Sequence, residues 1–263
     1  MALNDEVRSY WEQEACGTPE MVVGIFEKFS REWFEQVENH RYHAEPFIHS
    51  VAQFHRYQSK KILEVGVDAG TDHLQWARAG AECYGVDLTD EAIETTQRRL
   101  ETYRFHSNLK RINAEVLPFE DNFFDVVYSW GVIHHTEHPE QIIKEIHRTL
   151  KPNGIFIGMM YGRRSVKAFR LWLSHAALKG RPWQSLAQVI WHHMESVGTK
   201  AYTPDEIKTL FSQFFKVQTK KLITKSDTSK LPDWLSKMIP NALGWYIAIR
   251  ASKNTNIKTC NSE

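Results

Sequence analysis

An α/β fold with a seven-stranded, mostly parallel sheet and helices on both faces is what this sequence predicts, on three observations. From residue 61 onward, short apolar runs alternate with segments of helical spacing, the pattern of strands joined by crossover helices. The first run, Lys61-Ile62-Leu63-Glu64-Val65, ends in Gly66 and passes into the helical pattern Leu74, Trp76, Ala77 and Ala79, so a buried strand turns sharply into a helix. With 263 residues and 42% hydrophobic content, the chain can bury one sizeable core, and one domain with embellishments is expected.

The elements follow in order. Residues 7–11 form a short helix, and Gly17-Thr18-Pro19 punctuates the join, with Thr18 as a cap. Val23, Phe26, Phe29, Trp33, Phe34 and Val37 recur near helical spacing, so residues 20–39 read as one amphipathic helix. A helix over 46–54 leads into the sheet. Strands are expected at 61–66, 82–87, 110–113, 124–129 and 155–160, with helices over 90–100 and 140–150 between them. Residues 162–200, helical in pattern and rich in tryptophan and histidine, read as an insertion after the fifth strand. Thr203-Pro204-Asp205-Glu206 is a capping box with proline at the first helical position, opening a helix through Phe211. Strands at 215–222 and 244–251, separated by a short helix over 231–239, complete the sheet, and the polar residues 252–263 form a frayed, flexible tail.

Charge excludes some partners. The 33 basic and 32 acidic residues, a net charge of +1, build no large field to attract nucleic acid or an anionic membrane. Cys16, Cys83 and Cys260 form no close-spaced metal or redox pair, and an odd number is a poor disulfide framework. A cytoplasmic location is the expectation. Residues 1–11 carry Asp5, Glu6 and Arg8 instead of a basic stretch and an apolar run, and no segment approaches the roughly 20 apolar residues of a spanning helix. No leader and no stable membrane insertion are therefore expected. The oligomeric state is not legible.

The sharpest feature is Glu64-Val65-Gly66-Val67-Asp68-Ala69-Gly70 at the first strand-to-helix turn, with Asp87 closing the next strand. In open parallel sheets, ligands bind at the carboxyl ends of strands where the strand order reverses. Glycines there let the backbone approach a cofactor, and an acid at the end of the second strand can accept hydrogen bonds from both ribose hydroxyls. A nicotinamide dehydrogenase uses the same acid. The glycines here stand four apart and lack G-x-G-x-x-G, the pattern that seats a pyrophosphate on a helix amino end, which argues against that rival.

The run resembles motif I of class I S-adenosylmethionine-dependent methyltransferases, E/D-x-G-x-G-x-G, in the group of ubiquinone-type and type 11 domains. Ala114-Glu115-Val116-Leu117-Pro118-Phe119 resembles the family's adenine-lining segment, and Asn122-Phe123-Phe124-Asp125-Val126-Val127 its fourth strand. Ser129-Trp130-Gly131-Val132-Ile133-His134-His135 and Leu150-Lys151-Pro152-Asn153-Gly154 resemble the loop and turn that follow. The resemblance implies a Rossmann-like core over 61–161 that binds S-adenosylmethionine and releases S-adenosylhomocysteine. It also implies that Gly66 and Gly70 admit the methionine portion with Glu64 near its ammonium, and that Asp87 holds the ribose. Leu88 then packs on the adenine, Ala114 and Glu115 meet its edge, and the backbone near Ser129 and Trp130 contacts the methionine end. Asp68 departs from the family, standing at the middle glycine. Aspartate tolerates a left-handed backbone better than most residues, and its carboxylate either pairs with the cofactor's cationic groups or caps the following helix.

Methyl transfer from a sulfonium is an in-line displacement in which alignment supplies much of the rate, and no metal is expected. His134 and His135 follow the fourth strand and are the candidate bases, His135 preferred, because histidine titrates near neutrality; their alternative role is to order the loop. After the fourth strand there is no Asn/Asp-Pro-Pro-Tyr, Pro-Cys pair or double-glutamate loop, and no clear carboxylate cluster for magnesium. A small-molecule acceptor follows by default. The lid would come from residues 1–60, with Tyr10, Trp11, Tyr42 and His43, and from the cap insertion 162–200, with Trp172, His175, Trp183, Trp191, His192 and His193. Most such aromatics pack a core; Tyr10, Trp11, Tyr42, His43, Tyr161 and Trp191 are the substrate-binding candidates, able to hold a planar group or cage a cation. That tilts the acceptor toward nitrogen over oxygen. Residues 201–251 would complete the same domain. Arg163, Arg164, Lys167 and Arg170 form the one local basic cluster, a solvated helix face or else a site for an anionic substrate or a lipid headgroup. The rival functions are a lipid or quinone methyltransferase and a noncatalytic protein that binds the cofactor as a partner subunit.

Overall fold

The computed structural model describes residues 3–13, 18, 20–229 and 231–254; Cys16, Cys260, Gly17, Pro19 and the tail beyond Asn254 lie outside them. Seven strands form one sheet: β1 (Lys61–Val65), β2 (Glu82–Asp87), β3 (Asn108–Arg111), β4 (Phe124–Trp130), β5 (Leu150–Tyr161), β6 (Lys216–Leu222) and β7 (Tyr246–Ser252). Their order is β3-β2-β1-β4-β5-β7-β6. All neighbours from β3 to β5 pair in parallel, and β7 alone runs against its two neighbours. The chain winds outward from β1 in one direction and from β4 in the other, so strand order reverses between them and a crevice opens at their carboxyl ends.

The central strands are apolar on both faces because helices cover both. Trp76, Tyr128, Ile157 and Trp245 belong to one buried layer; Ile142, Ile143, Ile146, Phe156 and Phe211 belong to the other. On β4 a register shift between Phe124 and Val126 sends these two residues to opposite layers, as an irregularity in a period-two element must.

The helix expected over 20–39 is in fact two, Glu20–Val23 and Arg31–Ala44. Gly24 and Phe29 take left-handed backbone angles (φ 59° and 69°), and the Ser30 hydroxyl accepts from Trp33 N at 3.1 Å to start the second helix. Trp33, Phe34 and Val37 stay buried while Phe26 is exposed. Strand β3 begins two residues earlier than expected, and β5 already begins at Leu150, with Asn153 left-handed within it (φ 62°). Residues 162–200 contain helices Val166–His175 and Leu186–His193.

At helix Pro204–Leu210 the capping box is closed both ways: Glu206 N donates to Thr203 Oγ1 (3.3 Å) and Thr203 N to Glu206 Oε2 (2.8 Å). Replacing Thr203 with alanine should cost about 1 kcal/mol, lowering Tm by roughly 2–4 °C in a thermal melt. No change in Tm would show the cap to be energetically idle.

Candidate functional site

A cavity lies over the carboxyl ends of β1, β2 and β4, where the crevice is expected. Its floor is the turn after β1. Gly66 N donates to Val86 O at 2.8 Å, Gly66 is left-handed (φ 83°), and a Cβ there would stand 2.1 Å from Val132 Cγ2. Only glycine satisfies both constraints. Asp68 is also left-handed (φ 48°), held there by its amide donating to Asp87 Oδ2 (3.3 Å) and its carbonyl accepting from Thr96 Oγ1 (3.0 Å). Gly70, the N-cap of helix Thr71–Arg78, packs against Thr96. The Asp87 carboxylate also accepts from Thr89 N and Oγ1; burial raises its pKa, against the pull of these donors.

Behind the turn is a buried chain that motif spacing does not reveal. Glu64 Oε2 is 2.9 Å from His73 Nδ1, and His73 Nε2 is 2.8 Å from Ser107 Oγ, which donates to Cys83 O at 2.8 Å. With its own proton spent on Cys83, Ser107 accepts one from Nε2, so Nδ1 is the acceptor and Glu64 donates. That arrangement needs a protonated Glu64 and a neutral His73. Burial, with Asp72 adding to it, holds the Glu64 carboxyl well above its usual range, and burial pushes His73 down to about 4.

Helix Arg31–Ala44 is latched to the site through Asp72, whose carboxylate accepts from Arg41 Nη2 (2.8 Å), Tyr42 OH (3.0 Å) and Tyr128 OH (2.8 Å). Asn4, on the first helix, Leu3–Gln13, donates to Glu115 Oε1 (2.7 Å) and accepts from Glu137 N (2.8 Å). Glu45 accepts from Trp130 Nε1 (2.6 Å) and Tyr246 OH (3.0 Å).

Among the cofactor candidates, Glu64, Gly66, Asp68, Asp87, Leu88, Ala114 and Trp130 line the cavity, whereas Gly70, Glu115 and Ser129 do not. Glu115 is engaged by Asn4, and Ser129, fully buried, donates its hydroxyl to Val65 O at 2.9 Å. Trp11 and Tyr161 face the cavity; Tyr10, Tyr42, His43 and Trp191 do not. Tyr42 serves Asp72, His43 and Tyr10 are exposed, and Trp191 stacks under the Lys200 ammonium at 5.1 Å. Helical periodicity gives the face of a residue within its helix, and only packing decides which helix end reaches the cavity.

The two histidines part company. His134 is fully buried, off the cavity wall, its ring 3.8 Å from that of Tyr161 and both its nitrogens without hydrogen-bond partners among the described residues. His135 lines the cavity, with Nδ1 near Ser196 Oγ (2.9 Å) and Thr199 Oγ1 (3.0 Å). Burial, aided by Lys200 and Lys167, pushes His135 down to about 3, so it is uncharged at neutral pH. Sequence reading missed Asn4, Arg41, Glu45, Asp72, Glu195 and Tyr246, all on the wall. They come from five separate segments, and no motif of their own marks them. The basic cluster is dispersed: Arg163 pairs with Glu206, Lys167 lies 4.9 Å over the Trp245 ring, and Arg170 donates to Ser226 O.

Among the described residues, no group of three or more His, Cys, Asp or Glu side chains could hold a metal ion, and no helix is long and apolar enough to cross a membrane.

Residues 63–158 match the family model described as a methyltransferase domain. The uncharacterized methyltransferase YcgJ of Bacillus subtilis (strain 168) is 31% identical over 102 residues, 37% of this chain and 39% of that one. Phosphoethanolamine N-methyltransferase 2 of Caenorhabditis elegans is 33% identical over 105 residues, 39% of this chain and 24% of that one. The chain thus spans less than half the length of these curated relatives. The YcgJ crystal structure superposes with a TM-score of 0.54 at 17% identity, covering 79% of this chain and 99% of that one. The [4+2]-cyclase SpnF superposes with a TM-score of 0.57 at 13% identity, covering 97% and 94%.

Proposed function

Because residues 63–158 match a methyltransferase domain on a Rossmann-like sheet, we propose that the protein is a class I, S-adenosylmethionine-dependent enzyme that methylates a small-molecule acceptor, at nitrogen in preference to oxygen and without a metal ion. When bound, S-adenosylmethionine supplies a methyl group on a cationic sulfonium. The residues present suit that group. The left-handed turn at Gly66 and Asp68 exposes backbone to the crevice, and Asp87, pinned by three donors, offers a fixed carboxylate to the ribose hydroxyls. Leu88 and Ala114 flank the adenine position, with Glu115 beside it; Asp68 supplies negative charge toward the methionine ammonium, and the neutral Glu64 carboxyl lies near it as a polar group. The backbone at Ser129 and Trp130, with Gly70 behind, completes the methionine end.

The observation that carries the nitrogen reading is charge. Six carboxyl side chains, from Glu45, Glu64, Asp68, Asp72, Asp87 and Glu195, line the cavity among the described residues against one cationic side chain, Arg41, and the uncharged His135. Arg41 is already paired with Asp72, and Glu64 holds a proton, so the wall keeps an excess of negative charge that favours a cationic occupant. Trp11, Trp130, Tyr161 and Tyr246 give the same cavity aromatic faces, which suit an ammonium. The phosphoethanolamine relative is named for nitrogen methylation. Helix Leu3–Gln13 and residues 162–200 act as lid and cap, and the chain works in the cytoplasm, a reading supported by an odd number of cysteines with no close-spaced pair in the sequence.

A second reading has one observation in its favour. SpnF, which shares the fold over nearly the whole chain, is named a cyclase, and a fold does not by itself dictate chemistry. Incubation with isotope-labelled S-adenosylmethionine and a metabolite panel, followed by mass spectrometry, separates the two. We expect S-adenosylhomocysteine together with a labelled amine. Tight cofactor binding with no transfer to amines, alcohols or quinones would favour the second reading.

A further inference from the structure

On the cavity wall a histidine nitrogen and a carboxylate oxygen approach each other without forming a hydrogen bond. His135 Nε2 stands 3.6 Å from Glu195 Oε2, beyond hydrogen-bond distance. The tautomer is assigned from the other side of the ring: Thr199 Oγ1 donates to Ser196 O at 2.6 Å, so only its lone pairs face Nδ1 at 3.0 Å, and together with Ser196 Oγ at 2.9 Å it receives the Nδ1–H. Nε2 therefore carries a bare lone pair. The His135 side chain is only 5% exposed, and a buried lone pair directed at a carboxylate is unfavourable unless a donor enters the gap. Glu195 Oε2 is itself fixed by Tyr161 OH at 2.8 Å, and Lys167 Nζ approaches only Oε1, at 3.9 Å. Oε2 keeps a second lone pair for another donor, and Glu195, Trp11 and Tyr161 all line the cavity.

We propose that Glu195 and His135 together form the acceptor subsite, receiving one N–H of a protonated alkyl- or arylalkylamine, so that the substrate class is a small cationic amine. This rests on the methyltransferase reading above. The pairing exceeds what either group does alone: the carboxylate balances the ammonium charge and the neutral imidazole accepts without adding charge. It also names the proton's destination. The N–H bond breaks toward Glu195 Oε2, the carboxylate becomes a carboxylic acid, and the electron pair left on nitrogen becomes available to a methyl donor. A neutral alcohol donates to the same pair but brings no charge to meet the Glu195 carboxylate, whose nearest cation, Lys167 Nζ, stands 3.9 Å from its other oxygen; selection between amine and alcohol therefore resides in Glu195, a residue of the 162–200 segment and not of the strand ends.

The test is calorimetric and needs no turnover. The protein saturated with S-adenosylhomocysteine is titrated with benzylamine, histamine and ethanolamine, and with benzyl alcohol as the neutral counterpart. At least one amine should bind, and benzylamine should bind roughly tenfold or more tighter than benzyl alcohol, a difference of about 1.4 kcal/mol. Glu195→Gln keeps the shape but places an amide NH₂ against Nε2, filling the gap from within; amine affinity should fall at least about tenfold and S-adenosylhomocysteine affinity should stay within about twofold. His135→Asn should weaken amine and alcohol alike. Binding of amine by the Glu195→Gln protein as by the parent, equal affinity for benzylamine and benzyl alcohol, or no binding of any amine, each with S-adenosylhomocysteine still bound, would overturn the subsite. Failure of S-adenosylhomocysteine to bind the unaltered protein would instead overturn the methyltransferase reading.

Discussion

Replacement of Asp87 with alanine is expected to weaken S-adenosylhomocysteine binding by roughly 30- to 1,000-fold, about 2–4 kcal/mol, the range for hydrogen bonds from two hydroxyls to a charged acceptor. The side chain has two tasks. Toward the cavity it is the acid at the end of β2, and toward the protein it accepts from Asp68 N, Thr89 N and Thr89 Oγ1. The second task means that alanine also loosens the turn that holds Asp68 left-handed. Asp87→Asn separates the two, because it keeps an acceptor oxygen for Thr89 but loses the charge; its affinity should lie between those of the parent and the alanine protein. Calorimetry of both variants with the same ligand is the measurement. An Asp87→Ala protein that binds within about threefold of the parent would remove Asp87 from the ribose site.

The largest effect on stability should come from Asp72→Ala. Asp72 is 4% exposed and accepts from Arg41, Tyr42 and Tyr128, so its removal leaves one guanidinium and two phenols without their acceptor. Against the burial that opposes its charge, Asp72 and Glu45 hold Arg41 ionised. With Asp72 gone, Glu45 at 3.5 Å is the remaining partner. Removing one partner of a buried pair costs about 3–5 kcal/mol, and the 21% exposure of the Arg41 side chain argues for the lower end. Urea denaturation should show that loss, with a Tm lowered by roughly 10 °C. The double variant Arg41→Met with Asp72→Leu should recover much of it, since an apolar pair of similar volume carries no unpaired charge. A single variant within about 1 kcal/mol of the parent would show that helix Arg31–Ala44 is held by its apolar face alone.

These two residues differ in how far the sequence disclosed them. Asp87 sits at a strand end whose distance from the glycine turn is set by a single strand-helix-strand unit, so spacing alone points to it. Asp72 lies two residues past Gly70, within the same motif region, yet nothing local distinguishes it from an exposed helical acid. Its importance arises from Arg41 and Tyr42, thirty residues upstream, and Tyr128, fifty-six downstream. Likewise, the histidine pair after β4 was legible as a pair, and its division was not: a 3₁₀ turn over Ile133–His135 directs His134 behind Tyr161 and His135 into the cavity.

What the chain declares by itself is what depends on local periodicity and backbone conformation: seven strands, the alternating helices, the Thr203 cap, and a turn that needs left-handed residues at 66 and 68. Those properties follow from interactions within one element or between consecutive ones. The break of the 20–39 helix at Gly24 and Phe29, the latch at Asp72, the buried Glu64–His73–Ser107 chain, and the meeting of Glu195 with His135 were decided by tertiary structure. Each joins groups that are far apart in sequence and become energetically coupled only when packing removes water from between them, and no local pattern records which distant partner will arrive.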